Sequence, residues 1–144
     1  SIGGRITTSV IGEKVGEERM STASVRKGYL VAADGITDMD RFMEEYILTA
    51  AETIENHNGE ILVASLDPQV VEGEWEHTLT VVLEFPSVNA AEDWFNDETY
   101  QDVAEVRRES CKYSNLVLAS GFSPEDFARD HLEIYLFYIR VWFS

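Results

Sequence analysis

The stretch WEHTLTVVLEF, residues 75–85, alternates with unusual regularity. Successive side chains of a β-strand point to opposite faces of the sheet. Thr78, Thr80, Val82 and Glu84 therefore form a mixed face, which suits a lined cavity or open solvent. Pro86 cannot donate to the sheet ladder and ends the strand. The other face is apolar enough to cover helices and consists of His77, Leu79, Val81, Leu83 and Phe85.

The residues before this strand predict a strand, a helix and a second strand. Residues 28–33 form the first strand, which Asp34-Gly35 ends. Thr37 or Asp38 caps an amphipathic helix, and Asn58-Gly59 stops it with a left-handed residue. Residues 60–66 form the next strand. The apolar stripe of the helix has three- and four-residue spacing and comprises Met39, Phe42, Met43, Tyr46, Ile47, Ala50 and Ile54.

After Pro86 the pattern changes to two helices and a last strand. Ser87 caps a short helix, Asp97 caps a second helical segment, and residues 115–119 form the fourth strand. The order is β-α-β-β-α-β. It predicts an α+β, ferredoxin-like domain, with a four-stranded antiparallel sheet and two helices on one face.

The chain divides into three parts. Residues 1–26 read as a glycine-containing arm, residues 27–121 as the ferredoxin-like domain, and residues 122–144 as a C-terminal tail. Ser123-Pro124 begins a helix in the tail. The run at 132–143 is too apolar to sit in water, and its pattern fits a helix or a strand. We expect it to pack on the domain or to form an oligomer contact.

The charge balance excludes two classes of partner. The chain has 11 Lys and Arg against 27 Asp and Glu, a net charge of −16. We therefore expect neither nucleic acid nor an anionic membrane surface to bind. With one Cys and no signal-peptide pattern, the cytoplasm is the default location. Scarce Lys with abundant Asp and Glu is typical of halophilic proteins, and an ordinary acidic protein remains the alternative.

Residues 27–121 resemble the domain-of-unknown-function 1330 family of the dimeric α+β barrel superfamily. The sequence departs from that family in its acidity and at Asn58, where a second Gly is usual. The resemblance is carried by Gly28-Tyr29, Asp38, Tyr46, His57-Asn58-Gly59, Glu72-Gly73-Glu74-Trp75, Glu84-Phe85-Pro86-Ser87, Ala91, Trp94, Tyr100 and Arg107-Arg108.

The resemblance implies a homodimer whose two sheets face each other as a barrel, with the helices outside. It implies no activity, because the family has no assigned function. The wider superfamily includes cofactor-free monooxygenases, muconolactone isomerases, polyketide cyclases and haem proteins, and extending their chemistry to this chain is analogy at the level of the fold.

Three residues are candidates for catalysis. Glu84 ends the mixed face, where burial would raise its pKa and make it a general acid or base; a wet sheet edge or a pair with Arg107 is the alternative. Arg107 should turn inward and hold an anionic ligand, or form an ion pair with Glu84 or Glu72. His77 could shuttle protons, or be a partly buried histidine with its hydrogen bonds satisfied.

Five residues are candidates for ligand binding. Glu72 sits in an acidic loop, where it would lie at a pocket mouth, contact the partner subunit or belong to a structural turn, and Thr80 lies on the mixed face. Trp75, Trp94 and Tyr100 line a cavity or belong to the core. The three histidines lack zinc-site spacing and no phosphate loop or dinucleotide fingerprint occurs, so we expect neither a metal nor a cofactor.

The sequence thus favours a small-molecule-binding dimeric barrel. It would hold an apolar or weakly acidic metabolite, and could act on it by cofactor-free acid/base chemistry at Glu84. The alternative is a non-catalytic assembly module, in which the tail and the arm join subunits into a homodimer or a higher homo-oligomer.

Overall fold

A computed structural model describes residues 25–143 of the chain, the side chain of Tyr135 excepted. The predicted arm lies almost wholly outside these residues. The strands are β1 (Gly28–Ile36), β2 (Glu60–Ser65), β3 (Leu79–Phe85) and β4 (Cys111–Ser120). The helices are α1 (Met39–Arg41), a π-helical turn (Phe42–Ile47), α2 (Leu48–Asn56), α3 (Val88–Phe95), α4 (Glu98–Glu109), α5 (Pro124–Asp130) and α6 (Leu132–Trp142).

The four strands form one antiparallel sheet in the order β2-β3-β1-β4. The first helical segment follows β1, and α3 and α4 follow β3. This is the predicted α+β, ferredoxin-like arrangement. The described residues group into two compact units, one formed by residues 27–120 and the other by residues 25–26 with 121–143.

The sheet buries one face under the helices. Leu30 of β1 and Leu79, Leu83 and Phe85 of β3 are all buried on that face. Phe85 packs against Trp94 of α3, with ring centroids 5.6 Å apart. We call the opposite side of the sheet the open face; it carries Tyr29, Val31 and Ala33 of β1, Thr80, Val82 and Glu84 of β3, and Val117 of β4.

β1 does not end at Asp34-Gly35, so that prediction is wrong. The strand continues to Ile36, with a bulge between Gly35 and Ile36. Asp34 is buried and accepts a hydrogen bond from the Ser114 hydroxyl at 2.9 Å. Gly35 makes room for a ring of β4, because a Cβ there would lie 2.4 Å from Cε2 of Tyr113. Glycine permits a close approach at this position, and the chain does not turn.

β3 begins at Leu79, four residues later than the alternation predicts. The hydroxyl of Thr78 interrupts the backbone ladder just before Leu79. It donates to the carbonyl of Asp34 at 2.9 Å and accepts from the amide of Ile36 at 2.7 Å. This side chain therefore takes the place of a ladder hydrogen bond. β4 begins at Cys111 and is longer than the predicted 115–119.

The first helical segment contains a π-helical turn that the sequence pattern does not reveal. Asp38 caps it as predicted, accepting from the amide of Arg41 at 3.1 Å. Met39 and Met43 are exposed, so their assignment to the buried stripe is wrong. The wider π turn rotates Met43 away from the core. The residues that do reach the core recur every four positions: Phe42, Tyr46, Ala50 and Ile54.

The remaining helix ends agree with the sequence. Asn58 has the left-handed conformation, with φ of 62°, after α2. Ser87, Asp97 and Ser123 cap α3, α4 and α5 through their side chains. The apolar run of the tail is the helix α6, which settles the choice between helix and strand. Among residues 25–143, no helix is long and apolar enough to cross a membrane.

Candidate functional site

The predicted site residues lie on two sides of the sheet. Glu84 and Thr80 lie on the open face, and Trp75 and His77 precede β3 near the same end as Thr80. Glu72 is exposed in the connection from β2 to β3, beside Gly73, whose φ is +86°. The helix-covered side holds the three residues that are buried: Trp94, Tyr100 and Arg107.

Glu84 forms a polar cluster at one end of the open face. The hydroxyl of Tyr29, its direct cross-strand neighbour, donates to Oε2 at 2.8 Å, and Nζ of Lys27 lies 3.3 Å from Oε1. The Tyr29 hydrogen bond holds the pKa of the Glu84 carboxyl below its ordinary value. The expected raised pKa is therefore wrong, and the partner of Glu84 is Lys27 and not Arg107.

A second cluster lies at the other end of the open face. The indole N–H of Trp75 donates to the hydroxyl of Thr80 at 2.8 Å. Nδ1 of His77 lies 2.8 Å from the hydroxyl of Tyr113, and its ring packs edge-on against Trp75. The alternation predicts that His77 extends the apolar face of β3. That prediction is wrong, because His77 lies before the start of β3. Thr80 is about 13 Å from Glu84 along β3, so the two clusters do not form one site.

A cavity of about 150 Å³ lies between the sheet and the helices, and we call it the inner cavity. It is lined by side chains of all four strands, of the π-helical turn and of the helices α2, α3 and α4. Its wall is mainly apolar, with Phe42, Ile54 and Leu83 among the lining residues. Three residues bring titratable groups to it: Asp34, Tyr46 and Arg107.

Arg107 enters the inner cavity from α4. It is 5% exposed, which agrees with its predicted inward direction. Its Nη1 donates to the hydroxyl of Tyr100 at 2.8 Å, and that hydroxyl lies 2.9 Å from the hydroxyl of Tyr46. Its Nε is buried without a hydrogen-bond partner among the described residues. A buried charged donor left unpaired is costly, so this atom indicates a place for an acceptor.

Asp34 lines the inner cavity from the sheet side. The sequence alone does not identify it as a site residue. Asp34 is 2% exposed. Burial raises the pKa of its carboxyl, and the Ser114 hydroxyl and the Arg107 charge only partly oppose that rise. Burial also raises the pKa of Tyr46 well above that of free tyrosine, so its phenol keeps its proton at neutral pH. The position of Asp34 in an alternating strand was the available signal, and the Asp-Gly turn signal obscured it.

A wider surface groove adjoins the inner cavity. The two share Ala51, Ile54 and Ile61 in their walls, and the groove has a volume of about 490 Å³. The other groove residues include three exposed carboxylates, Glu52, Glu55 and Glu60. Their negative charge opposes the entry of anions and favours neutral or cationic molecules.

Metal and thiol chemistry find little support in the described part of the chain. Residues 25–143 contain no group of three or more His, Cys, Asp or Glu side chains arranged to hold a metal ion. Cys111 is half-buried, and burial raises the pKa of its thiol to about 11. At neutral pH the thiol therefore stays protonated and is a poor nucleophile.

The class of protein defined by this geometry is a ferredoxin-like α+β domain with a mainly apolar cavity between its sheet and its helices, lined also by Asp34, Tyr46 and Arg107. Residues 27–122 match the family described as Domain of unknown function (DUF1330), and the chain belongs to that family. The resemblance seen in the sequence is thereby confirmed. No curated protein matches the chain significantly.

Solved structures share the fold at low sequence identity. A protein of unknown function from Rhodopseudomonas palustris is 13% identical, with a TM-score of 0.59, over 75% of this chain and 95% of that one. A dimeric ferredoxin-like protein of unknown function from Jannaschia sp. CCS1 is also 13% identical, with a TM-score of 0.50, over 67% and 99% of the two chains. At such identity the likeness shows the fold alone.

Proposed function

We propose that this protein binds a small molecule in the inner cavity of each subunit. The observation that carries the proposal is the unpartnered Nε of Arg107, a buried charged donor on a residue that lines a mainly apolar cavity. Asp34 and Tyr46 add a carboxyl and a phenol to the lining of the same cavity. The binding domain is the ferredoxin-like region, residues 27–121, and we place the protein in the cytoplasm on the ground of its single cysteine.

The ligand class follows from the size and charge of the cavity. About 150 Å³ of apolar cavity accommodates a molecule near the size of benzene. The acidic groove disfavours anions, whereas Arg107 requires an acceptor oxygen. A compact, uncharged ring that carries one carbonyl or hydroxyl oxygen satisfies both conditions.

Acid/base chemistry is a further part of this proposal. Asp34 replaces Glu84 as the group suited to it, because burial brings the pKa of Asp34 up while hydrogen bonds bring the pKa of Glu84 down. Arg107 would hold the acceptor oxygen of the ligand and stabilise negative charge that develops there. Trp94 lines the cavity, and the hydroxyl of Tyr100 holds Arg107 by a hydrogen bond. The proposed chemistry uses neither a metal nor an organic cofactor.

The open face has a different role in the proposal. We place it in a homodimer in which two sheets face each other, as the family resemblance implies and as the dimeric Jannaschia protein supports by analogy of fold. Glu84, Thr80, Trp75 and His77 would then lie in the space between the two sheets. Glu72, in an exposed loop, would lie at the edge of that space.

A matched pair of probes tests the inner cavity. Cyclohexanone and methylenecyclohexane have nearly the same shape, but only the first has an acceptor oxygen. A hydrogen bond to a charged donor is worth roughly 1.5–3 kcal/mol, so cyclohexanone should bind about tenfold or more tightly. Arg107→Met should abolish that preference, and ligand-observed NMR titration measures it.

Arg108→Met is the control, because Arg108 is exposed on the same helix. It should keep the preference for cyclohexanone. Equal binding of the two probes by the wild-type protein would contradict the proposal, provided that the Arg107 side chain is shown to be buried in that sample.

A non-catalytic assembly role is the second candidate function. The observation that favours it is α6, whose apolar side chains are largely exposed. Deletion of residues 122–144 should then lower the subunit number measured by native mass spectrometry while the inner cavity still binds cyclohexanone.

A further inference from the structure

α6 is apolar apart from Glu133 and Arg140, and most of its side chains are exposed. Its residues are at least half exposed at most positions, a degree of exposure that isolated apolar helices rarely tolerate in water. An exposed apolar surface of this kind marks an interaction site. The exposed apolar residues of the helix and its last turn are Leu132, Ile134, Leu136, Phe137, Tyr138, Val141, Trp142 and Phe143.

The charged residues of α6 indicate which partner it binds. The helix has two charged residues, Glu133 near its start and Arg140 near its end. They are seven residues apart, which is about two turns and roughly 10 Å along the axis. That spacing puts both on one face, with Leu136 and Phe137 between them, and too far apart to pair within the helix.

This face is complementary to the same face of a second α6 only when the two helices run antiparallel. The midpoint between Glu133 and Arg140 lies between Leu136 and Phe137. A two-fold axis through that midpoint sets an identical helix antiparallel, so each Glu133 faces the partner's Arg140 and the apolar pair meets its copy in the centre. A parallel arrangement would set Glu133 against Glu133 and Arg140 against Arg140, which repels.

We infer that α6 docks against α6 of a second copy of this chain as an antiparallel helix pair closed by two reciprocal Glu133–Arg140 ion pairs. This contact is independent of the inner cavity. A lipid surface is the less favoured occupant, because the chain has a net charge of −16 and the helix itself has a single cation.

Charge reversal tests the pairing in the full chain. Glu133→Arg and Arg140→Glu each replace two attractive pairs by two repulsive ones, and each should weaken self-association about tenfold in sedimentation velocity. The double variant Glu133→Arg/Arg140→Glu re-creates both pairs with the signs exchanged. It should restore self-association to within about threefold of wild type.

The double variant also separates pairing from helix stability. Glu133 and Arg140 both complement the helix dipole, so reversing both charges should destabilise α6 more than either single change does. Recovery of association in the double variant therefore cannot come from the helix alone. Asp102→Arg, an exposed reversal on α4, is the control for net charge and should leave association unchanged.

Two results would overturn the inference. Single reversals without effect, or a double variant no better than the singles, would exclude the antiparallel pair. Flotation of the protein with phosphatidylcholine vesicles, lost on Trp142→Glu while the oligomeric state stays the same, would assign α6 to a lipid surface instead.

Discussion

Asp34 and Glu84 lie on directly paired strands of one sheet, yet they face its opposite sides. The helix-covered side removes Asp34 from water, and burial raises the pKa of its carboxyl. The open face leaves Glu84 near a phenol and an ammonium group, and the Tyr29 hydrogen bond in particular lowers its pKa. The face on which a carboxylate lies therefore decides its proton affinity more than its residue type does.

The two sides also differ in packing. Beneath the helices, Phe42, Phe85 and Trp94 are fully or almost fully buried. On the open face, Val63 is 42% and Val117 is 58% exposed in the single chain. The first side holds the fold together, and the second is available for association.

The largest expected effect is a loss of stability on the helix-covered side. Trp94→Ala removes a buried ring that packs 4.1 Å from Tyr100 and donates to the hydroxyl of Thr53 at 3.0 Å. It should lower the free energy of unfolding by roughly 3–5 kcal/mol. Val117→Ala on the open face should change it by only about 0.5 kcal/mol in dilute protein.

Urea unfolding at low micromolar concentration measures both changes, since dilution reduces the contribution of subunit association. Similar losses for the two variants would mean that both faces are packed in the isolated chain, and the distinction between them would fail.

The next prediction uses the opposite pKa shifts of the two carboxyls. Because folding raises the pKa of Asp34, its contribution to the free energy of unfolding is present below about pH 4 and is lost as the pH rises through the raised pKa. Because folding lowers the pKa of Glu84, its contribution is present above about pH 4 and is lost as the pH falls through the lowered pKa.

Asp34→Asn and Glu84→Gln should therefore tilt the pH profile of stability in opposite directions. Relative to wild type, Asp34→Asn should gain stability as the pH rises from 2.5 to 7.5, and Glu84→Gln should lose it. Chemical unfolding at intervals of half a pH unit gives the two slopes. Slopes of the same sign would show that one of the carboxyls is not in the environment described.

The sequence was sufficient for the fold because alternation and spacing are local. The period of residues 79–85 assigned the correct face to each side chain, and the stripe of α4 turned Arg107 inward. Asp34-Gly35 was misread because an Asp-Gly pair is a turn signal, and the reason for Gly35 is the ring of Tyr113 on another strand. The pKa of Glu84 also depends on a contact between residues distant in the sequence, because Tyr29 becomes its neighbour only through the register of β1 and β3.

The smallest expected effect isolates the cause of the Glu84 shift. Tyr29→Phe removes the hydroxyl that donates to Oε2 of Glu84 and leaves Lys27 in place. The pKa of Glu84 should rise toward its ordinary value, because the largest of the contributions that lower it is lost while Lys27 stays in place. Carbon-detected NMR titration of the Glu84 carboxyl measures the change.

Tyr113→Phe is the matched control for this measurement. It removes a hydroxyl from the other end of the open face, where the partner is His77, and should leave the pKa of Glu84 unchanged. If Tyr29→Phe also leaves it unchanged, the phenol is not what lowers the pKa, and the charge of Lys27 would have to account for all of it. Lys27→Met in the same titration then decides between the two, since a shift that survives both changes cannot arise from this cluster.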